Sequence, residues 1–326
     1  MIRRLFISLA FMALAGCATP AVQSAFMPTS GFSGPHLESD AFVSFDGARL
    51  GLSKWEAEGE PWAVIIGLHG MNDYGQGFWR AGPYWASQGV TTYAYDQRGY
   101  GRSPGRGVWA GQDLIDKDVT TMVAVAKAKH PNAIIAVAGV SMGGAAAITA
   151  FAGRNPPDAD RVILLSPAVW GWSTQPLPNR LALWIANKAR PAWEVNPPSA
   201  IVQSHVPTDN REELRRMSTD PLMLYGARAD TLNGMTNLMQ SAWRDTGKIK
   251  VPTLYLYGYH DEIIPRQAAT QAAARLRDGN HTGFYLDGYH LLLSDNQARR
   301  VWDDVVGFLH DPSKPLISGV VPIPSR

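Results

Sequence analysis

Ser141 has the setting of an activated nucleophile. It lies in Gly139-Val140-Ser141-Met142-Gly143, a G-x-S-x-G pattern that puts a serine on a strained strand-to-helix turn with its hydroxyl lifted clear of the sheet. The flanks agree with that reading. Residues 133–140 form a short apolar run that reads as a strand buried on both faces, and small and apolar residues at helical spacing follow Gly143. Glycine at 139 and 143 lets the chain pass where Cβ atoms would collide and permits unusual φ/ψ. The helix aims its unpaired N–H groups and positive dipole end at the serine, where they would stabilise developing negative charge.

A serine hydroxyl needs a base to take its proton, and the base needs an acid to fix its tautomer. For a nucleophile on such a turn the chain order is serine, acid, histidine. Downstream lie His205, His260, His281, His290 and His310. His205 falls in a stretch without strands, His281 precedes a strand and His310 ends the last helix. His290 follows a strand at 283–286 and the turn Asp287-Gly288-Tyr289, at the sheet edge where ligand-facing groups gather. Asp261, in the loop after the preceding strand, is placed to reach it, with Glu262 as the second candidate. An oxyanion hole requires the N–H after the nucleophile, that of Met142, and one from the loop after an early strand. In His69-Gly70-Met71-Asn72 the glycine lets the backbone turn and Met71 offers its N–H; His69 itself reads as a structural residue.

The elements that must hold these residues alternate. Strand-like runs at 41–45 and 50–55 flank Asp46-Gly47, a hairpin signal. A strand at 63–68, a helix at 78–88, a strand at 90–95 and a helix at 113–129 follow, then the nucleophile unit and a strand at 162–165. Such βα alternation predicts an α/β fold, a mostly parallel sheet with helices on both faces. From about 169 to 250 the alternation stops, and five of the eleven tryptophans fall there (Trp170, Trp172, Trp184, Trp193 and Trp243). This segment reads as an inserted helical cap, with one helix capped by Asn179 and stopped near Pro191, and others at 212–217 and 232–243. Alternation resumes with strands at 253–257 and 283–286 and helices at 266–276 and 296–309. The domain therefore spans 41–310, and residues 311–326 read as an extended, loosely attached tail.

The chain has 326 residues, 45% hydrophobic and 18% charged, enough for one large globular domain. Met1-Ile2-Arg3-Arg4 and the apolar residues 5–15 have the form of a secretory signal too short to span a membrane as a helix. Residues 1–16 read as a signal peptide and 17–40, rich in Pro, Gly, Ser and Thr, as a flexible tether. Without residues 1–16 the chain has 28 Lys and Arg against 28 Asp and Glu. That balance argues against nucleic acid as a partner and against membrane binding by net charge alone. Cys17 is the only cysteine, so an exported chain has no internal disulfide. No metal-ligand cluster, phosphate-binding glycine loop or nucleotide fingerprint is present, and no cofactor is expected.

Two resemblances add to this reading. Leu14-Ala15-Gly16-Cys17 resembles the lipobox of bacterial lipoproteins, which implies lipidation at Cys17, a membrane contact through that anchor, and a place in the bacterial cell envelope. Ala18, not being aspartate, implies sorting to the outer membrane, facing the periplasm. From 41 to 309, His69-Gly70, Asp96-Gln97-Arg98-Gly99-Tyr100-Gly101-Arg102-Ser103, the elbow at Ser141, residues 258–261 and Tyr289-His290 together resemble the α/β-hydrolases of the monoacylglycerol lipase and lysophospholipase-like branch. The resemblance implies hydrolysis of single-acyl esters through an acyl-enzyme on Ser141, and a loop at 96–103 that shapes the floor of the site, with Arg98 not catalytic. Thioesterase, acyltransferase and proline-directed aminopeptidase chemistry use the same fold, and an idle lipoprotein binding lipid through its cap is the non-enzymatic alternative. The cap itself matches no pattern of that branch.

Overall fold

The computed structural model describes residues 19–196 and 205–324; the expected signal peptide and Cys17 lie outside the described residues. The strands are β1 (His36–Leu37), β2 (Ala41–Val43), β3 (Arg49–Trp55), β4 (Ala63–Leu68), β5 (Val90–Tyr95), β6 (Ile134–Val140), β7 (Arg161–Leu165), β8 (Glu194–Val195), β9 (Ala227–Arg228), β10 (Thr253–Gly258) and β11 (His281–Tyr285). All but β8 and β9 form one sheet in the order β1-β2-β3-β5-β4-β6-β7-β10-β11. It is parallel from β5 to β11 and antiparallel at its first edge. The order reverses between β4 and β6, so a crevice opens at their carboxyl ends, where α/β sheets bind ligands.

The central strands are apolar throughout because both faces are covered. In β4, Val64, Ile66 and Leu68 enter one core while Ala63 and Ile65 enter the other. The first core lies under α2 (Gln112–Lys129), α3 (Met142–Ala152), α6 (Ala229–Asp245) and α7 (Arg266–Ala273); the second lies under α1 (Ala81–Ser87) and α8 (Arg299–His310). Between β7 and β10 the chain also forms α4 (Leu177–Ala189), the small β8–β9 ribbon and α5 (Arg211–Thr219).

Four expectations are corrected. The helix α6, assigned from the sequence to the cap, packs on α3 and sends Leu238, Met239 and Ala242 into the first core; its apolar stripe meets the sheet layer, so it belongs to the body. Asn179 does not cap α4, which starts after Pro176. The described part of the expected tether, from 19 to 40, is fastened: Gln23 N–H donates to the Trp109 carbonyl at 2.9 Å, Phe26 N–H to Asp46 at 2.8 Å, and β1 pairs with β2. The expected loose tail runs along β11, where the Val321 carbonyl accepts the Phe284 N–H at 2.8 Å and Ile323 is buried, covering an edge that would otherwise be open to another chain.

Arg98 is structural. Its guanidinium is fully buried, paired with both oxygens of Asp46 (2.8 and 2.8 Å) and both oxygens of Asp118 (2.7 and 2.8 Å). This ties the loop after β5 to the β2–β3 hairpin and to α2. Removing one partner of a buried ion group strands the rest. Arg98→Ala, which leaves two buried carboxylates uncompensated, is expected to lower the unfolding free energy by about 3–5 kcal/mol. Urea denaturation checks this, and a loss below ~1 kcal/mol would show that water replaces the guanidinium.

Candidate active site

Ser141 sits between β6 and α3 with φ 52° and ψ −113°. The strain expected of this turn falls on the serine itself, and such a residue stores on the order of 1–3 kcal/mol. The glycines supply room. A Cβ at Gly139 would lie 2.3 Å from the Gly143 carbonyl oxygen, and one at Gly143 would lie 2.0 Å from the Leu68 carbonyl oxygen. The nucleophile helix therefore rests on the last residue of β4, the strand whose loop carries Met71. Ser141 N–H donates to the Leu165 carbonyl at 3.0 Å, and its own carbonyl accepts from Ala168 at 2.9 Å, so β7 and the loop after it hold the elbow on both sides.

Asp261 and His290 come from the loops after β10 and β11. His290 Nδ1 is 2.9 Å from Asp261 Oδ2, with both side chains buried. Asp261 Oδ1 accepts the N–H groups of Ile263 and Ile264, each at 2.9 Å. One carboxylate thus shapes its own turn and orients the histidine, leaving Nε2 of the neutral ring as the basic nitrogen. Glu262, the second candidate, is exposed. The two loops are zipped along their backbones: His260 N–H donates to Gly288 at 2.8 Å, and a Cβ at Gly258 would lie 2.3 Å from the Tyr289 carbonyl oxygen. Ser141 stands on the same carboxyl edge. Ile263 and Ile264 line one cavity with Ser141 and Met71, so the acid loop and the elbow share that space.

Met142 is the first residue of α3, so its N–H has no acceptor within the helix. The facing loop comes close: a Cβ at Gly70 would be 3.4 Å from Ser141 Cβ. His69 holds that loop, with Nδ1 2.7 Å from the Gly70 carbonyl and Nε2 accepting the Gln97 N–H at 2.8 Å. Both ring nitrogens are engaged, and burial lowers its pKa, so His69 is a neutral strut. The 96–103 loop braces this strut from behind rather than forming the floor of the cavity, whose lining contains none of its residues.

What the sequence reading missed is the bracket that α5 builds across the site. On one side Arg216 bonds both oxygens of Asp73 at 3.2 Å, Tyr74 donates to Asp220 at 2.6 Å, and Leu224 N–H donates to the Asn72 carbonyl at 3.0 Å. On the other, Asn210 caps α5 while its amide donates to Ser294 at 2.7 Å, and Leu291 N–H donates to Pro207 at 2.8 Å. Asp295 closes this side, taking Tyr289 N–H at 2.8 Å and the Thr208 hydroxyl at 2.7 Å. An acid five residues after a histidine carries no sequence signal, and its cap partner Thr208 is distant in the chain.

The cavity bounded by the elbow and α4 is about 690 Å³ in volume, and Trp170, Leu183, Trp193, Leu232, Met235 and Met239 are among its walls. Its described lining contains no Asp, Glu, Lys, Arg or His; Gln175, Asn179 and Thr236 join Ser141 as its polar groups.

The sheet, the strained serine and the aspartate-bound histidine make this molecule an α/β-hydrolase. A profile of the Serine aminopeptidase, S33 family matches residues 59–297, and the chain belongs to that family. It is 26% identical over 274 residues to a monoacylglycerol lipase of Mycolicibacterium smegmatis, covering 82% of this chain and 95% of that one. It is 26% identical over 262 residues to the human monoglyceride lipase, covering 79% and 85%. Among solved structures, the monoacylglycerol lipase of Paleococcus ferrophilus superposes with a TM-score of 0.68 at 19% identity over 81% of this chain and 99% of that one. A soluble variant of the Saccharomyces cerevisiae monoglyceride lipase with a substrate analog gives 0.69 at 17% identity over 90% and 100%. The solved structures speak for the fold.

Burial lifts the Asp295 carboxyl from 3.8 to about 7, against the pull of its Tyr289 and Thr208 hydrogen bonds. With the folded value above the unfolded one, its stabilisation is complete below about pH 4 and is lost as pH rises through about 7. The stability of the wild type minus that of Asp295→Asn should therefore fall between pH 4 and 8 in urea titrations; a constant difference would mean that Asp295 is ionised throughout.

Proposed function

We propose that this chain hydrolyses carboxylic esters of single-acyl lipids of the monoacylglycerol type, with Ser141 as nucleophile, His290 as base then acid, and Asp261 orienting it. The observation that carries the reading is the uncharged, apolar cavity that ends on Ser141. Ser141 Oγ bonds to the ester carbonyl carbon as His290 Nε2 takes its proton, and the carbonyl oxygen becomes an oxyanion facing the N–H groups of Met142 and Met71. Collapse breaks the ester C–O bond, the alcohol leaves with the proton from His290, and an acyl-enzyme remains. Water, deprotonated by the same nitrogen, then releases the carboxylic acid and restores Ser141.

The family's description as an aminopeptidase keeps the amide reading in view. An aminopeptidase must receive an N-terminal ammonium, and a buried cation needs a carboxylate partner; the described lining offers none. An acyl chain needs apolar walls instead, each buried methylene being worth about 0.8 kcal/mol, or roughly fourfold in affinity. The lipobox-like Leu14-Ala15-Gly16-Cys17 supports a lipid anchor at Cys17 and residence on the bacterial outer membrane facing the periplasm.

Ser141→Ala and His290→Ala are each expected to lower kcat/KM for monoacylglycerol by about 10³-fold or more, and Ser141→Ala to abolish labelling by a fluorophosphonate probe. Full labelling of Ser141→Ala would remove the assignment. For esters of increasing acyl length kcat/KM should climb and then level off; faster cleavage of aminoacyl amides would favour the peptidase instead. Mass spectrometry of the mature N-terminus tests the anchor, which an unmodified Cys17 would refute.

A further inference from the structure

The segment before β1 is seated in the body as a part of it. Ala21 N–H donates to Asp230 Oδ2 at 2.9 Å, Gln23 N–H to the Trp109 carbonyl at 2.9 Å, and Phe26 N–H to Asp46 Oδ2 at 2.8 Å. Between these points the Gln23 side chain drops into a slot in the loop after β5, where its amide donates to the Val108 carbonyl at 2.7 Å. The slot exists because position 105 is glycine: at φ 77° a Cβ there would lie 2.3 Å from Gln23 Cδ. Val22 passes just as closely over Gly111, whose Cβ would be 3.3 Å from Val22 Cγ1. Ordering such a segment costs backbone entropy, and a chain that merely trailed from the domain would not need a fitted seat.

What this segment holds is one end of the cavity. Asp230, in the first turn of α6, is 4% exposed, and its carboxylate takes the Ala21 N–H together with Arg228 Nε at 2.9 Å and Arg228 Nη2 at 2.6 Å. Its own N–H donates to the Pro191 carbonyl at 3.0 Å and the Ala229 N–H to the Trp193 carbonyl at 2.9 Å, just past the end of α4. Arg228 lies in β9, opposite Glu194 of β8. The loop that seats Gln23 reaches the same helix, for the Thr231 hydroxyl donates to the Gly107 carbonyl at 2.8 Å and a Cβ at Gly234 would lie 2.3 Å from Trp109 Cδ1. Trp193, Val195, Leu232 and Met235, which belong to these joined stretches, line the cavity, whereas Ala21, Gln23 and Asp230 do not.

We propose that residues 21–26 are a strap that fixes this end of the cavity, with Asp230 as the positioning residue through which it acts, so that the strap governs how tightly a long acyl chain is held. The proposal rests on the reading of the cavity as the acyl site. No hydrogen bond of residues 21–26 reaches the loops that carry Ser141, Met71, Asp261 or His290. The strap therefore acts on the walls and leaves the reacting groups alone. A short acyl group needs only the wall beside Ser141, while a long one needs the whole lining, including the part that Asp230 ties together.

The test compares the full-length wild type with Ala21→Pro combined with Gln23→Ala, which removes the N–H donor to Asp230 and empties the slot. For this variant KM for a long-chain monoacylglycerol and Kd for a dansyl-labelled long-chain fatty acid should each rise by about fivefold, with kcat/KM for p-nitrophenyl acetate within about twofold. Asp230→Ala should raise the same KM by about tenfold, and Asp230→Asn, which keeps an oxygen acceptor for Ala21, by less than about threefold. Hydrogen exchange read by mass spectrometry should quicken in the peptides containing Trp193 and Ala229 and keep the wild-type rate in β4. Unchanged KM and Kd in a variant whose Ala229 peptide exchanges faster would overturn the proposal, and so would an unaltered exchange rate there. Equal losses on the long and the short ester would overturn it as well, since they mark a general loss of stability. If the wild type cleaves neither ester, the fatty-acid Kd still decides the strap, and it is the ester reading that fails.

Discussion

The site depends on one backbone-to-backbone contact, that of Gly143 against the carbonyl of Leu68. It lets α3 start on the end of β4 with no side chain between, and that closeness puts Ser141, at φ 52°, between two strands. The strain is held because Leu165 and Ala168 from the next strand and its loop bond the serine's backbone on both sides. The same contact sets the distance between the first turn of α3 and the Met71 loop, so the nucleophile and both candidate oxyanion donors share one origin.

Around this point the protein uses polar groups as struts rather than reagents. His69 is neutral with both nitrogens engaged, Arg98 is locked between two carboxylates, and Asp295 takes hydrogen bonds from both the histidine loop and the cap segment. Each is buried, so each is affordable only because its partners satisfy it. Since α5 bonds the Met71 loop on one side and the His290 loop on the other, the cap is part of the frame that holds the site and not only its roof.

Net charge conceals how this surface is organised. A chain nearly balanced overall buries acids such as Asp46, Asp118 and Asp295 in struts, while α4 presents the exposed cations Arg180 and Lys188 beside an open apolar stripe.

The sequence by itself determined most of the sheet-forming elements and brought forward the candidate site residues. Strand runs such as 63–68 and 90–95 coincide with β4 and β5, because strands buried on both faces have little freedom of composition. Ser141, Asp261 and His290 were legible because an elbow pattern and loops after late strands are local signals, and the structure joins Asp261 to His290 as the chain order implied. Tertiary structure alone decided that α6 belongs to the body, that residues 19–40 are fastened, that the tail covers β11, and that Asp295 and Arg216 brace the site. The physical reason is the same in each case. A residue's identity fixes what it can bond to, but partners such as Thr208 for Asp295, 87 residues away, or Asp73 for Arg216, 143 residues away, meet only when the whole chain has packed.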